Sequence, residues 1–402
     1  MINILEKAKC CGCSACENVC PQNCIEMKRD DEGFQYPSVN EHECNDCGLC
    51  ESVCPMLHSV EEDKREQKAY LVQIKDDAIR RESTSGGAFT AIAQYVIRKG
   101  GVVFGAAFDE KLQVYHRYVE SETDLKLFRG SKYVQSAIGN SYQQAKLFLD
   151  ENRLVCFSGT PCQIEGLKSY LNKDYDNLIT VDVVCRAVPS PLIWEKYCQM
   201  QNAKYGNVIT KVLFRDKYYG YKYSTMTIYT DVAKGEPVYH RGVETDVFLR
   251  AFFSDICDRP SCYKCNFKKR YRVSDFTIWD CFNVDEFNKK MDDDKGTTRV
   301  LIQSQKADVI FNEIKKEVTY CCVDVDTLVK DVNEMFHSVN INPKREVFFA
   351  DAKVLNNEDL FKKYFPETFK VKLERFIRLT FNRMGIYKPM KKIYNIIFKN
   401  LK

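Results

Sequence analysis

Two stretches decide the reading: residues 10–21, CCGCSACENVCP, and residues 44–55, CNDCGLCESVCP. Each sets three cysteines two residues apart, then a fourth three residues on and followed by proline. The first run is Cys10, Cys13, Cys16 and Cys20 before Pro21; the second is Cys44, Cys47, Cys50 and Cys54 before Pro55. Three evenly spaced thiolates can wrap one face of an iron–sulfur cubane in a single loop, while the fourth points away toward a second cluster. The expected ligand sets are therefore crossed. Cys10, Cys13, Cys16 and Cys54 would hold one 4Fe–4S cluster, and Cys44, Cys47, Cys50 and Cys20 the other. Every ligand recurs at an offset of 34 residues, the mark of a duplicated motif. Zinc held by CxxC pairs is the competing chemistry and also takes four ligands per site. The three-cysteine run with Cys-Pro, occurring twice, favours iron and sulfide.

The rest of the chain agrees with a reduced, metal-binding protein. Of 20 cysteines, ten lie between Cys10 and Cys54, none from there to Cys156, and ten from Cys156 to Cys322. A disulfide scaffold would not crowd half its cysteines into one short segment, whereas a ferredoxin-type module would. The opening MINILEKAKC lacks the apolar core of a signal peptide, and no apolar run approaches the roughly 20 residues of a spanning helix. A cytoplasmic location is expected. With 402 residues, 45% apolar and 12% aromatic, disorder is excluded and two or three domains are expected. Net charge is +4, but Phe369–Lys402 alone holds ten Lys or Arg against Glu374, so the body is acidic and gives no sign of nucleic-acid binding. Cys11 and Cys24 are spare, read as small residues buried beside the clusters.

Residues 56–68 are charged and aperiodic, as a linker would be. Beyond them the pattern is strand, turn, helix, repeated. Residues 69–80 read as a strand leading into a polar turn. Ser85-Gly86-Gly87 precedes an apolar helix that ends at Gly100-Gly101 before the strand VVFGAAF. RLVCFSG is a buried strand, Thr160-Pro161 a turn, and CQIEGLKSYL a helix with Cys162 at its start, where a thiolate is stabilised. LITVDVV, CRAVPSP and LIWEKYCQM repeat the unit. Such units build an α/β sheet with ligand groups gathered at strand ends. Residues 208–240 read instead as an antiparallel section. Cys257, Cys262 and Cys265 have ligand spacing without a local fourth, which Cys162, Cys185 or Cys281 could supply.

Taken in order, the ferredoxin pair, ESTSGGAF, RGSKYVQS, FSGTPCQIEGLKSYL, VDVVCRAVPSP, DRPSCYKCNFK, SDFTIWD and DDDKGTT resemble the beta subunits of coenzyme F420-reducing hydrogenases and dehydrogenases over residues 8–340. The resemblance implies an iron–sulfur flavoprotein. FAD would sit in a mixed α/β domain, and electrons would pass between clusters and a deazaflavin or other organic acceptor. It implies that Ser85, Gly86 and Gly87 approach the FAD diphosphate. Lys132, Tyr133, Gln135 and Ser136 would line the flavin, with Ser158, Gly159, Thr160 and Pro161 opposite. Lys132 would stabilise negative charge on the reduced ring, and Cys162 is the second candidate catalytic group. It also raises a third cluster at Cys257, Cys262 and Cys265. Two loops depart from the family: Arg186-Ala187 stands where His-Gly is usual, and Asp280-Cys281-Phe282-Asn283 replaces an Asp-Phe-Trp-Gly stretch. Both weaken the case for the deazaflavin itself as acceptor.

The expected organisation is α+β and α/β: a dicluster domain at 1–58, a linker at 59–68, two parts of one FAD-binding domain at 69–150 and 151–345, and a basic helical tail at 346–402. In the tail, Leu373, Phe376, Ile377, Phe381 and Met384 share a face, and Met390, Ile393, Ile397 and Leu401 another after Pro389. Such a tail suits a body contact, a partner, or an anionic membrane surface at the inner face. The expected role is an oxidoreductase fed by a ferredoxin or a partner redox subunit. The alternatives are an electron-transfer subunit of a larger complex and a redox protein associated with cell-envelope polysaccharide.

Overall fold

The structure, a computed structural model, describes residues 1–58, 62–206, 208–232 and 235–386. The second tail face, Met390 to Leu401, lies outside the described residues.

The N-terminal module is a pair of cysteine loops around a hairpin, β1 (Ile25–Arg29) and β2 (Gln35–Val39), registered Ile25 to Val39. Its duplication is visible in the backbone. Gly12 and Ser14 take left-handed φ of 72° and 61°, and Asp46 and Gly48, 34 residues on, take 52° and 74°. Each pair turns its loop so that the next cysteine leads into a short helix, Ala15–Val19 or Leu49–Ser52.

The body is built on eight strands: β3 (Lys68–Ile74), β4 (Val102–Phe108), β5 (Val114–Val119), β6 (Val155–Gly159), β7 (Leu178–Val183), β11 (Phe276–Asp280), β12 (Thr298–Ile302) and β13 (Val318–Val323). Their order is β13-β3-β12-β11-β7-β6-β4-β5. The centre, β11-β7-β6-β4, is parallel, and both flanks are antiparallel. Both faces are covered, as a parallel sheet requires. Alternation divides each strand between two cores: in β6, Val155 and Phe157 pack with Tyr142, Ile164 and Leu167, while Cys156 packs on the other face with Ala91, Ile92 and Phe311. The expected antiparallel section is a separate three-stranded sheet of β8 (Ile209–Asp216), β9 (Thr225–Thr230) and β10 (Tyr239–Gly242). After β3 the chain forms a short helix, Asp77–Glu82, capped by Asp76, where the sequence suggests only a turn.

This topology fixes the site. Strands β3, β4, β6, β7 and β11 all point the same way, so the loops after Ile74, Phe108, Gly159, Val183 and Asp280 share one edge. Ligands in open α/β sheets bind at that edge.

Candidate functional site

The first cluster set is gathered in one place. Cys10, Cys13, Cys16 and Cys54 line a single open concavity of about 310 Å³ whose other walls include Ile2, Ile4, Ala15, Met27, Pro37 and Met56. Four sulfur donors in an apolar wall suit a cubane, which needs thiolates and exclusion of water. Burial pushes the Cys16 thiol up, with Cys10, Cys54 and Cys50 adding to it. The second set is nearer the surface: Cys50 is buried, Cys20 and Cys44 are partly buried, and Cys47 is exposed. Cys24 is buried 3.4 Å from Cys20 and is pushed up to about 12, first by burial and then by Cys20 and Cys44. It sits beside the ligands, as a spare cysteine should.

A third group of thiols lies at the strand-end edge, and its membership differs from the sequence expectation. Cys257 is fully buried in the aliphatic and aromatic core with Trp194, Phe248 and Leu249, where burial and Asp258 push its thiol up. The Cys257–Arg259 segment, bonded to Ser190 and Val188, turns the Cys257 side chain into this core. Cys281 is likewise core, with its thiol beside Arg299. The four that share a neighbourhood are Cys162, Cys185, Cys262 and Cys265. Burial pushes Cys262 well up, and Cys185, Asp258, Cys265 and Cys162 add to it. Burial is also the leading cause at Cys185, raised to about 12, and at Cys265, with Cys162 adding to both. Cys262 lies within the short 3-10 turn Pro260–Lys264 and Cys265 directly follows it, while Cys185 and Cys162 follow β7 and β6. The sequence offers Cys162 and Cys185 only as alternatives for one ligand beside Cys262 and Cys265, whereas the fold brings both to them.

Cys162 corrects a second expectation. It follows Pro161 at the start of the helix Pro161–Leu171, behind a complete Thr160–Gln163 capping box. The thiolate is not favoured there: Cys11 first, and then burial, push the thiol well up. The nearby Cys11 thiol is itself raised, chiefly by Cys13, with Cys162 acting the other way. Thus Cys11 stands between the first and third groups. The helix after Pro161 packs closely on the cysteine loop, since a Cβ on Gly166 would come within 2.8 Å of the Cys13 Cβ.

The loops expected to face a flavin converge on the same edge. Gly86 passes so close to the sheet that a Cβ would fall 2.1 Å from the Val72 carbonyl, and its N–H donates to Thr298 Oγ1 at 2.9 Å. Thr84 reaches Ser131 at 3.1 Å, linking the Ser85–Gly87 loop to the SKYVQS loop. Lys132 Nζ donates to the Arg129 and Gly130 carbonyls at 3.3 and 3.2 Å, and burial lowers its pKa to about 7. Tyr133 accepts from Arg215 at 3.0 Å, and Gln135 from Arg259 at 3.0 Å. The Ser136 hydroxyl pairs with His116 Nδ1 at 2.7 Å, and His116 Nε2–H donates to the Ser158 carbonyl at 3.0 Å. Burial lowers His116 to about 4, so the ring is neutral and ties the two loops together.

Sequence reasoning missed Lys217, Arg215 and His116. Lys217 Nζ donates to the carbonyls of Arg80 and Ser85, the latter at 2.7 Å, and burial lowers it to about 7. Arg215 stacks 4.9 Å over Phe282, which stacks on Tyr221. Among the described residues, neither Lys132 nor Lys217 forms an ion pair with a carboxylate. Other buried cations do, as in Arg272–Asp182 and Lys269–Glu165. Half-buried Lys132 and buried Lys217, both carbonyl-bound at one strand-end edge, suit an anionic ligand. No local motif marks these residues in the sequence; only the fold brings them together.

Together these observations define a class: a cysteine-rich iron–sulfur module joined to an α/β body whose candidate ligand loops gather at its strand ends. Residues 9–57 match the family model of the 4Fe-4S dicluster domain, and residues 152–327 match that for the C terminus of the coenzyme F420 hydrogenase/dehydrogenase beta subunit. Residues 152–327 thus carry the C-terminal domain of that beta-subunit family behind a 4Fe-4S dicluster domain, and the chain is an iron–sulfur electron-transfer protein related to that beta subunit. No curated protein matches it. Among solved structures, it is similar to a chain of the F420-reducing NiFe hydrogenase complex from Methanosarcina barkeri, at 14% identity and a TM-score of 0.44, over 76% of this chain and 94% of that one.

Proposed function

We propose that the protein is an iron–sulfur flavoprotein oxidoreductase that takes electrons from a ferredoxin or partner redox subunit and delivers them, by way of FAD, to an organic acceptor. The observation that carries this reading is the continuity of buried sulfur. It runs from the Cys10, Cys13, Cys16 and Cys54 concavity, past Cys11, to Cys162, Cys185, Cys262 and Cys265 at the strand-end edge to which the lysine-bearing loops also come. Clusters would supply one-electron steps and FAD would join them to two-electron chemistry.

In this reading the eight N-terminal cysteines hold two clusters, and Cys162, Cys185, Cys262 and Cys265 hold a third. The Cys-x2-Cys-x2-Cys-x3-Cys-Pro run, occurring twice, and the match of residues 9–57 to the 4Fe-4S dicluster domain support cubanes over zinc. Exposed Cys47 supports donor docking at the second cluster. Lys132, Lys217 and the Gly86–Gly87 backbone would hold the FAD diphosphate and the charge of the reduced ring. Arg186 and the Asp280–Asn283 loop border the acceptor. Arg186 is committed to Asp255 at 2.7 Å and Glu334 at 3.4 Å, which favours an acceptor other than the deazaflavin. The amphipathic helix Phe369–Arg383 would rest on the inner face of an anionic membrane.

Metal and flavin analysis of anaerobically purified protein tests the proposal. About twelve iron and one FAD per chain are expected. Cys185→Ser should fall to about eight iron, while Cys257→Ser should keep its full iron. Zinc in place of iron, or equal losses from both variants, would overturn the assignment.

A further inference from the structure

Arg259 is among the most deeply buried cations in the molecule, at 1% exposure, and among the described residues it forms no ion pair with a carboxylate. Its guanidinium is nevertheless fully engaged. Nε donates to the Cys10 carbonyl at 2.9 Å, Nη1 to Gln135 Oε1 at 3.0 Å, and Nη2 to the Gln35 carbonyl at 2.9 Å and to Cys10 Sγ at 3.5 Å. The plane lies 4.3 Å from the Tyr36 ring. The backbone on either side is pinned, Arg259 N–H to Val188 and Cys262 N–H to Arg259. A buried charge without a counter-charge is costly. The group in contact that can become anionic is the Cys10 sulfur, one of four thiolates in the proposed cluster.

The twin site lacks this partner. The backbone repeats at 34 residues, but the counterpart of Cys10 is Cys44, whose Sγ accepts from the Asp46 N–H at 3.4 Å. Among the described residues no lysine or arginine side chain donates to Cys44, Cys47 or Cys50.

We propose that Arg259 is a positioning residue that serves as counter-cation to the cluster on Cys10, Cys13, Cys16 and Cys54, and that it sets this cluster's potential above that of its twin. Adding one electron makes a cluster more negative by one charge with no bond made or broken, so a fixed cation and an N–H···S bond favour the reduced form. The electron then favours the inner site over the exposed one. Transfer from the surface cluster toward the body is downhill, and the donor is a one-electron, low-potential carrier. Arg259 also touches Gln135, so the same side chain ties this cluster to the loop expected at the flavin.

The inference rests on the iron–sulfur reading, and its test separates the two. Redox-poised EPR titration of the anaerobically purified full chain should show, beside the signal of the third cluster, which Cys185→Ser removes, two distinct midpoints for the ferredoxin-type pair in the wild type. Arg259→Gln should lower one of them by at least tenfold in the one-electron equilibrium, about 59 mV, and leave the other in place. Arg259→Lys, which keeps the charge, should recover most of the shift. Gln135→Glu puts a carboxylate against the guanidinium without removing it, and should move the same midpoint in the same direction. It decides the matter should Arg259→Gln fail to fold. Unchanged midpoints, or equal movement of both, in iron-replete variants would overturn the role of Arg259. A wild-type chain without iron would overturn the reading beneath it.

Discussion

Lys132 shows what a single residue can and cannot announce. The sequence makes it a lysine between Ser131 and Tyr133, and nothing in that triplet says it is buried. In the structure it is held by two carbonyls, lies 5.7 Å over the Phe108 ring, and releases its proton near pH 7. An anionic ligand binds the protonated form, so affinity should weaken as pH rises through 7. Lys217, also near 7, acts in the same sense, while Arg215 stays charged and His116 stays neutral. Flavin titration followed by fluorescence should give an affinity about tenfold weaker at pH 8.5 than at pH 6. Lys132→Met should bind more weakly at pH 6 and show a shallower pH dependence. A wild-type affinity that is flat across this range would remove both lysines from the site. The eight cluster cysteines differ in kind: their spacing is local and chemically specific, so they could be read without a fold. Cys185 and Cys162 could not, because they meet only when β6 and β7 lie side by side.

Elements were legible where periodicity was strong. The strands of the parallel centre and the helices Ala88–Arg98, Pro161–Leu171 and Pro191–Tyr205 stand where apolar runs, prolines and glycines place them. The short helix after β3 escaped because six residues with only Ala78 and Ile79 apolar carry no amphipathic signal, and Asp76 caps its start. The last described helix, Phe369–Arg383, illustrates a face whose partner the sequence left open. Arg378 is buried, pairs with Glu244 and lies 4.8 Å over Tyr223, which fastens one side to the body. Phe369, Leu373, Phe376 and Met384 remain exposed on it, beside Lys372 and Arg383. No described helix is long and apolar enough to cross a membrane, so any lipid contact through this helix is with the surface. Sedimentation with anionic vesicles should carry the protein down at low salt and release it at high salt, with little binding to neutral vesicles. Leu373→Ser with Phe376→Ser should weaken binding several-fold without moving the melting point, since these side chains leave the body untouched. Binding unaffected by salt or by the double substitution would exclude this face.

At the scale of the whole molecule, the cysteine spacing suggests a ferredoxin module strung on a linker, but the contacts describe an inserted one. The β1–β2 hairpin carries its tip into the body: Phe34 is fully buried in the same core as Trp194, Phe214 and Phe248. Gly33, at φ 86°, lets the turn pass Leu192, where a Cβ would lie 2.6 Å from the backbone nitrogen. Glu32 pairs with Arg345, Asp31 with Lys353, and Arg29 with Glu195. The sequence could not show this, because one phenylalanine in a hairpin turn has no period to read. Electron transfer between cofactors needs fixed separations, and this insertion supplies them. The expected consequence is a single cooperative unit. In denaturant, visible absorbance of the clusters and far-ultraviolet circular dichroism should be lost together in the wild type. Phe34→Ala deletes a side chain that fills the core from another module and should cost about 3–5 kcal/mol. The ion pairs, with the Arg259 and Ser190 hydrogen bonds to the Gln35 and Glu32 carbonyls, would then hold the hairpin, and the exposed pairs among them are worth little in water. Cluster bleaching should therefore move to lower denaturant than loss of the sheet signal. Separate transitions already present in the wild type would show the modules to be independent, and the insertion of Phe34 would then not couple them.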